Sequence, residues 1–323
     1  MKVAIAGGKT GGHLFPGIAL AERLEKNGHK AVFFCSLASF DHDILEESPY
    51  PFSVIASSSP RLGLMIFLIR FLQGYVQSLL ALWTHHVDAV VGLGGFPSVP
   101  TVLAAWTLRK PIVLMEQNVV MGQANRFLIW FANKIVTSFE ETKEHWVGGV
   151  CVKAKMECLG TPVRMSFAHG KRASREDMCA QWGFDSKQPI ILVLGGSQGA
   201  QSLNEMILNS IEKYPNGQWL HVTGFSHYNS IQKYYQKLSS VKVRISKFKD
   251  NIDQWMALAD YVICRAGGST IAELKYLQKK ALLVPLLSSI DGHQLKNAQA
   301  CEKEGWAVCV QSLSELTSAL SVI

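Results

Sequence analysis

The chain has 323 residues, 48% of them hydrophobic, with 32 Lys and Arg against 25 Asp and Glu and a net charge of +7. That length suits about two domains with a sizeable core and excludes a disordered or fibrous chain. The positive excess is spread out: residues 1–164 carry 15 basic and 12 acidic side chains, the rest 17 and 13. This suits anionic ligands or an anionic membrane surface, and no basic run interleaved with aromatics marks a nucleic-acid binder.

In chain order, Lys2–Ala6 reads as a strand, followed by the turn Gly7-Gly8-Lys9-Thr10-Gly11-Gly12-His13 and a helix from about His13 onward, with the stretch Gly17–Lys26 ended by Asn27-Gly28. Gly8-Lys9-Thr10 imitates the tail of a P-loop. That motif needs a Gly five residues before the Gly-Lys pair, and Val3 stands there, so a P-loop is disfavoured. Further strands are expected at Ala31–Cys35, Phe52–Ala56, Asp88–Leu93, Pro111–Glu116 and Lys134–Phe139. Residues 62–83, LGLMIFLIRFLQGYVQSLLALW, approach the apolar content of a membrane span but are interrupted by Arg70, Gln73 and Gln77. Three readings stand: a span, a core helix of the first domain, or a helix in the membrane interface.

A domain break is expected near Gly160-Thr161-Pro162-Val163-Arg164, giving domains 1–164 and 165–323. A second strand series follows at Ile190–Leu194, Trp219–Thr223, Val241–Ser246, Tyr261–Cys264, Ala281–Pro285 and Ala307–Val310. Continuous apolar strands alternating with helices predict an α/β fold of two Rossmann-like doubly wound parallel sheets. The seven cysteines include no Cys-x-x-Cys pair and read as small buried hydrophobes in a reducing compartment, with no zinc site. The N-terminus enters a strand at once, without a cleavable signal pattern.

Four Gly-rich turns follow strands: Gly7 to His13, Gly92 to Ser98, Gly195 to Ala200 and Arg265 to Thr270. Ligands of doubly wound sheets bind outside the carboxyl ends of strands, so two such turns per domain predict a shared cleft that handles phosphates. None fits Gly-x-Gly-x-x-Gly with an acidic residue on the next strand end, which disfavours a dinucleotide dehydrogenase.

The ordered set GGKTGGHLFPG, GLGGFPS, LMEQNVVMGQANR, GTPVR, LGGSQGAQSLN, ADYVICRAGGSTIAE and DGHQLKNA, from Met1 to about Ala300, resembles the MurG family of glycosyltransferases. Lys9 departs from the family's usual third glycine. Relatives also continue into a C-terminal helix returning to the first domain, so an end at Ile323 implies that helix is absent or reduced. The resemblance implies a GT-B fold and inverting transfer of GlcNAc from UDP-GlcNAc to the MurNAc C4 hydroxyl of undecaprenyl-pyrophosphoryl-MurNAc-pentapeptide (lipid I), giving lipid II. It implies no metal or other cofactor and a peripheral place on the cytoplasmic face of the bacterial plasma membrane. With a lipid substrate, the interfacial reading of residues 62–83 becomes the preferred one.

Residue by residue, the resemblance implies that Thr10, Gly11, Gly12 and Asn118 border donor and acceptor, and that Ser197 and Gln198 belong to the diphosphate loop. Arg164 is the cation for the diphosphate, and the backbone at Ile252 reads uracil. Gly268, Ser269 and Thr270 form a helix start, Glu273 holds the ribose hydroxyls, and Gln294 holds the sugar hydroxyls. Two residues compete as the base: His13, whose imidazole titrates near neutral pH, and Glu116. Two alternatives stay open: another lipid glycosyltransferase of this fold, or a non-catalytic nucleotide-sugar-binding subunit associated with the membrane.

Overall fold

The apolar runs form strands because their side chains are covered on both faces. In the computed structural model the described residues are all but 9–10, 37–43, 58–62, 147–154, 170–173, 196–198, 213, 215–216, 239–240, 249–250 and 322–323. The chain divides into two units, Met1–Arg164 and Met165–Ile323. The first contains β1 (Lys2–Ala6), α1 (Gly11–Lys26), β2 (Lys30–Cys35), β3 (Phe52–Val54), α2 (Leu64–Thr84), β4 (Ala89–Gly92), α3 (Ser98–Thr107), β5 (Ile112–Glu116), α4 (Gln123–Leu128), β6 (Lys134–Thr137), α5 (Glu141–His145) and β7 (Met156–Cys158). The second contains α6 (Met165–His169), α7 (Arg175–Trp182), β8 (Ile190–Leu194), α8 (Gln201–Ile211), β9 (Gln218–Val222), α9 (Tyr228–Tyr235), β10 (Lys242–Ser246), α10 (Ile252–Leu258), β11 (Tyr261–Cys264), α11 (Gly268–Tyr276), β12 (Lys280–Leu283), α12 (His293–Lys303), β13 (Ala307–Cys309) and α13 (Leu313–Leu320).

Among the described residues the first sheet has the order β3-β2-β1-β4-β5-β6-β7 and the second β10-β9-β8-β11-β12-β13. Neighbouring strands are parallel, with β1 in register with both β2 and β4. The order in which successive strands join the sheet reverses between β1 and β4 in one sheet and between β8 and β11 in the other. These are the topological switch points, where open α/β sheets leave a crevice at the carboxyl ends. The four glycine turns follow these same four strands.

Each sheet is covered on both faces where the crevice forms. Val3 and Ile5 of β1 pack with Leu14 and Ala21 of α1, while Ala4 and Ala6 pack on the other face with Leu82, Val102 and Leu128. In the second unit Ile191 and Val193 join Leu203, Ile207 and the fully buried Trp219. One polar network lies in that interior. His221 of β9 is fully buried, with Nδ1 2.8 Å from the Tyr235 hydroxyl and Nε2 3.0 Å from Asn204 Oδ1. Because Asn204 Nδ2 donates to the Thr223 carbonyl, its Oδ1 must accept. The imidazole therefore carries its proton on Nε2, and Tyr235 donates to Nδ1. Burial holds His221 neutral, with its pKa lowered to about 3.

Two expectations are revised. The first helix starts at Gly11, two residues before the expected start near His13, and Pro16 lies inside it. So near the N-terminus, proline forfeits only the bond to the Gly12 carbonyl, and the helix continues through it. The core-helix reading of residues 62–83 does not hold. In α2 only Gly74, Ser78 and Leu82 are buried, one residue per turn along a single stripe. A Cβ at Gly74 would lie 1.9 Å from the Ala56 carbonyl oxygen. Ser78 bonds the Thr101 hydroxyl at 3.0 Å, and Gln77 accepts from the Ala56 amide at 2.8 Å. Gly74, Gln77 and Ser78 face the protein, and Phe71, Tyr75, Leu79 and Ala81 beside them are half-buried against the core. Leu64, Met65, Ile69, Leu72, Leu80 and Trp83 face outward, each more than 60% exposed.

Candidate functional site

In the first unit the turns after β1 and β4 pack on each other. A Cβ at Gly7 would lie 2.9 Å from the Leu93 Cβ. Gly94 and Gly95 adopt φ of 91° and 73°, which side-chain-bearing residues resist. Their bare backbone is what the His13 ring rests on. A Cβ at Gly94 would meet His13 Cε1 at 3.4 Å, and one at Gly95 would meet His13 Nε2 at 3.6 Å. His13 is half-buried on the first turn of α1. One turn further on, the helix is held close by Gly17, where a Cβ would lie 2.7 Å from Leu93 Cδ1.

Beside this lies the loop after β5. Glu116 is buried, and its carboxylate accepts from donors around that loop. Its Oε1 accepts from the Asn118 amide at 3.0 Å and Asn118 Nδ2 at 3.1 Å. Its Oε2 accepts from the Gly122 amide and Asn125 Nδ2, both at 2.9 Å. Gln117 Nε2 donates to the Leu93 carbonyl at 3.3 Å, which joins this loop to the glycine turn. Asn118 is further fixed by Thr142, whose hydroxyl donates to its carbonyl at 3.2 Å. His13, Gly94, Asn125, Glu116 and Asn118 thus form one contiguous group at the carboxyl edge of the first sheet.

Arg164, the last residue of the first unit, lies over α1 as well. Its Cζ is 4.3 Å from the centroid of the Phe15 ring. Thr10 lies outside the described residues. Gly11 and Gly12 open α1, whose first turn has no acidic residue. Helix-start amides of this kind attract anions.

In the second unit, Ser197 and Gln198 lie outside the described residues. The helix after them, α8, has Ala200 as its N-cap, which offers no capping side-chain oxygen. The helix after β11 begins at Gly267, also without a side-chain cap, so the amides of Gly268, Ser269 and Thr270 open an unblocked helix start. Glu273 lies within this helix and is buried. Ile252 starts α10 and is half-buried. Gln294 accepts from the Leu286 amide at 2.9 Å through Oε1, which fixes the side chain at the start of α12.

Sequence reasoning passed over the residues that stiffen these loops. Arg265 donates to the Val284 and Pro285 carbonyls at 3.0 and 3.3 Å and to the Ser202 hydroxyl, joining the ends of three neighbouring segments. Burial lowers its pKa from the ordinary guanidinium value. Asn297, fully buried, donates to the Ala266 carbonyl at 3.0 Å. Asn125 does the same work in the first unit. Arg265 and Asn297 lie inside the quoted motifs, but a motif does not say which member supports and which touches ligand.

Comparisons with known proteins bear on the chemistry. The glycosyltransferase family 28 N-terminal domain matches residues 3–137, and the family's C-terminal domain matches residues 190–321. The chain is 33% identical, over 98% of its length and 87% of the relative's, to a Halothermothrix orenii protein. That relative is named UDP-N-acetylglucosamine–N-acetylmuramyl-(pentapeptide) pyrophosphoryl-undecaprenol N-acetylglucosamine transferase. A Psychromonas ingrahamii protein of the same name is 32% identical over 98% of this chain and 86% of its own. Among solved structures, MurG of Acinetobacter baumannii aligns with TM-score 0.74 and 24% identity, covering 99% of this chain and 90% of that one. A UDP-GlcNAc 2-epimerase from Neisseria meningitidis, bound to UDP-GlcNAc, aligns at TM-score 0.69 with 15% identity over 99% and 90% of the two chains, which is likeness of fold.

Proposed function

Since the chain belongs to the MurG family of glycosyltransferases within glycosyltransferase family 28, we propose an assignment of its residues to that family's reaction. The enzyme transfers GlcNAc from UDP-GlcNAc to the MurNAc C4 hydroxyl of lipid I and forms lipid II, working in peripheral association with the membrane. The neutral imidazole of His13 takes the proton of the C4 hydroxyl as its oxygen attacks the anomeric carbon. The bond from that carbon to the β-phosphate oxygen breaks, and UDP leaves with the electron pair. The sugar inverts from α to β, and His13 later returns its proton to water.

The departing diphosphate gains charge. Arg164 and the helix-start amides near Ser197, Gln198 and Gly268 stabilise it, because preorganised donors act where charge develops. Glu273 takes the ribose hydroxyls with its two acceptor oxygens, Ser269 and Thr270 line the same helix start, and Ile252 meets the uracil through its backbone. Gln294 and Asn118 bind sugar hydroxyls, and Thr10, Gly11 and Gly12 border the acceptor's pyrophosphate. Residues 1–164 serve the acceptor and the membrane, and residues 165–323 hold the donor. Glu116 is a positioning residue here, since a new proton on either oxygen would displace a hydrogen bond that shapes the Asn118 loop. The outward apolar face of α2 is the docking element, which places the enzyme on the cytoplasmic face of the plasma membrane, where nucleotide sugars are available.

The observation that carries the base assignment is the His13 ring lying on the bare backbone of Gly94 and Gly95, at a switch point of the sheet. The test is transfer of labelled GlcNAc to a soluble lipid I analogue in the presence of EDTA. Wild type is expected to turn over, and His13→Ala to lose about a hundredfold or more in kcat, the usual weight of a general base. Turnover that survives the substitution would move the base elsewhere.

A further inference from the structure

Phe15 packs where the first unit ends. It is half-buried on α1, two residues after His13. Two residues correspond to roughly 200° around a helix, so His13 and Phe15 leave α1 on opposite sides. His13 meets the glycine turn after β4, and Phe15 meets the chain where the first unit ends. There its ring takes the Arg164 guanidinium, with Cζ 4.3 Å from the centroid. Val163, next to Arg164, is buried, so the backbone at that point is anchored.

We propose that Phe15 is a positioning residue that holds Arg164 ready for the donor diphosphate. The inference rests on the reading of Arg164 as the diphosphate cation. An arginine side chain free in solvent samples many rotamers, and ordering it when donor binds opposes binding. A flat aromatic ring suits the flat guanidinium: it supports one face by a cation–π contact and leaves the in-plane N–H fork open to phosphate oxygens. The same short helix thereby sets both ends of the chemistry. One side carries the base for the acceptor, and the other preorganises the charge that receives the leaving group.

The test is a double-mutant cycle on the full chain: wild type, Phe15→Leu, Arg164→Ala and the double variant. The readouts are KM for UDP-GlcNAc, kcat, the inhibition constant of UDP, and the melting temperature of each protein. Arg164→Ala is expected to weaken UDP and UDP-GlcNAc by tenfold or more, because it removes charge-assisted bonds to phosphate oxygens. Phe15→Leu is expected to weaken them about fivefold, within the range of a partly desolvated cation–π contact, with little change in the KM for acceptor. In the Arg164→Ala background Phe15→Leu should add nothing, because its effect passes through the guanidinium. Phe15→Tyr, which keeps the ring, should restore wild-type values.

If the two substitutions multiply, Phe15 does not act through Arg164, and the inference falls while the Arg164 reading stands. If Arg164→Ala leaves donor and UDP binding unchanged, the Arg164 reading fails and takes the inference with it. Should Phe15→Leu lower the melting temperature markedly, Phe15→Met replaces it in the cycle. A Phe15→Tyr protein that stays folded but keeps the Leu defect would also overturn the proposal.

Discussion

Glu116 shows how the role of a residue follows from what surrounds its atoms. Four donors converge on its two carboxylate oxygens in a buried site. Glu116→Gln would place an amide N–H₂ against donors and leave at least one of them unsatisfied. A buried donor without a partner costs about 1–3 kcal/mol, so the variant should unfold at lower urea concentration and lose activity through a loosened Asn118 loop. Chemical denaturation checks the first and donor KM the second. His221 makes a different statement. Its folded pKa is about 3 against roughly 6.5 in the unfolded chain. The unfolded state therefore binds the proton first as pH falls, so this contribution to stability is complete above about pH 6.5 and is lost progressively toward pH 3. The slope is about 1.4 kcal/mol per pH unit for one site. Urea midpoints measured from pH 7 to pH 5 should fall, and His221→Gln should flatten that part of the curve. Neither behaviour was legible in the sequence. Glu116 stood in a recognisable Glu-Gln-Asn block, but only the positions of Asn118, Gly122 and Asn125 distinguish an anchored carboxylate from a free base.

At the scale of elements, most strands could be read from their apolar runs, because parallel strands covered on both faces leave a continuous signal. β7 could not: Met156-Glu157-Cys158 is three residues long, half-buried over two of them, and carries a charge. Helix α2 was visible as a helix, but not for the way it faces. A core helix, a span and an interfacial helix share its composition, and what separates them is the close approach at Gly74 and the hydroxyl pair Ser78–Thr101. Those contacts turn the small stripe inward, with Phe71, Tyr75 and Leu79 packed beside it, and leave Leu64, Met65, Ile69, Leu72, Leu80 and Trp83 outward. Ile69→Glu with Leu72→Glu changes only exposed positions. The pair should therefore leave the melting temperature within a few degrees while releasing the enzyme from anionic vesicles in a flotation assay. Retained binding would assign docking to another surface. Gly74→Ala is the contrasting variant: the Ala56 carbonyl blocks the added methyl, so folding should suffer, as overpacking costs about 1–3 kcal/mol.

At the scale of the molecule, the repeated strand–helix alternation announced two doubly wound sheets, and the motif order carried the family. The strand order was not legible, because the pairing of β1 with β4 and of β8 with β11 joins segments far apart in the chain. That pairing is what makes the glycine turns neighbours, two by two, at the switch points. The docking face proposed for α2 has one more consequence. An enzyme held at a bilayer does not meet its lipid acceptor as a solute. It meets it at a surface density, by search in two dimensions, while the sugar nucleotide arrives from the bulk. The acceptor's effective concentration is then its mole fraction in the leaflet, and inert lipid added at constant total acceptor slows the reaction by thinning the surface.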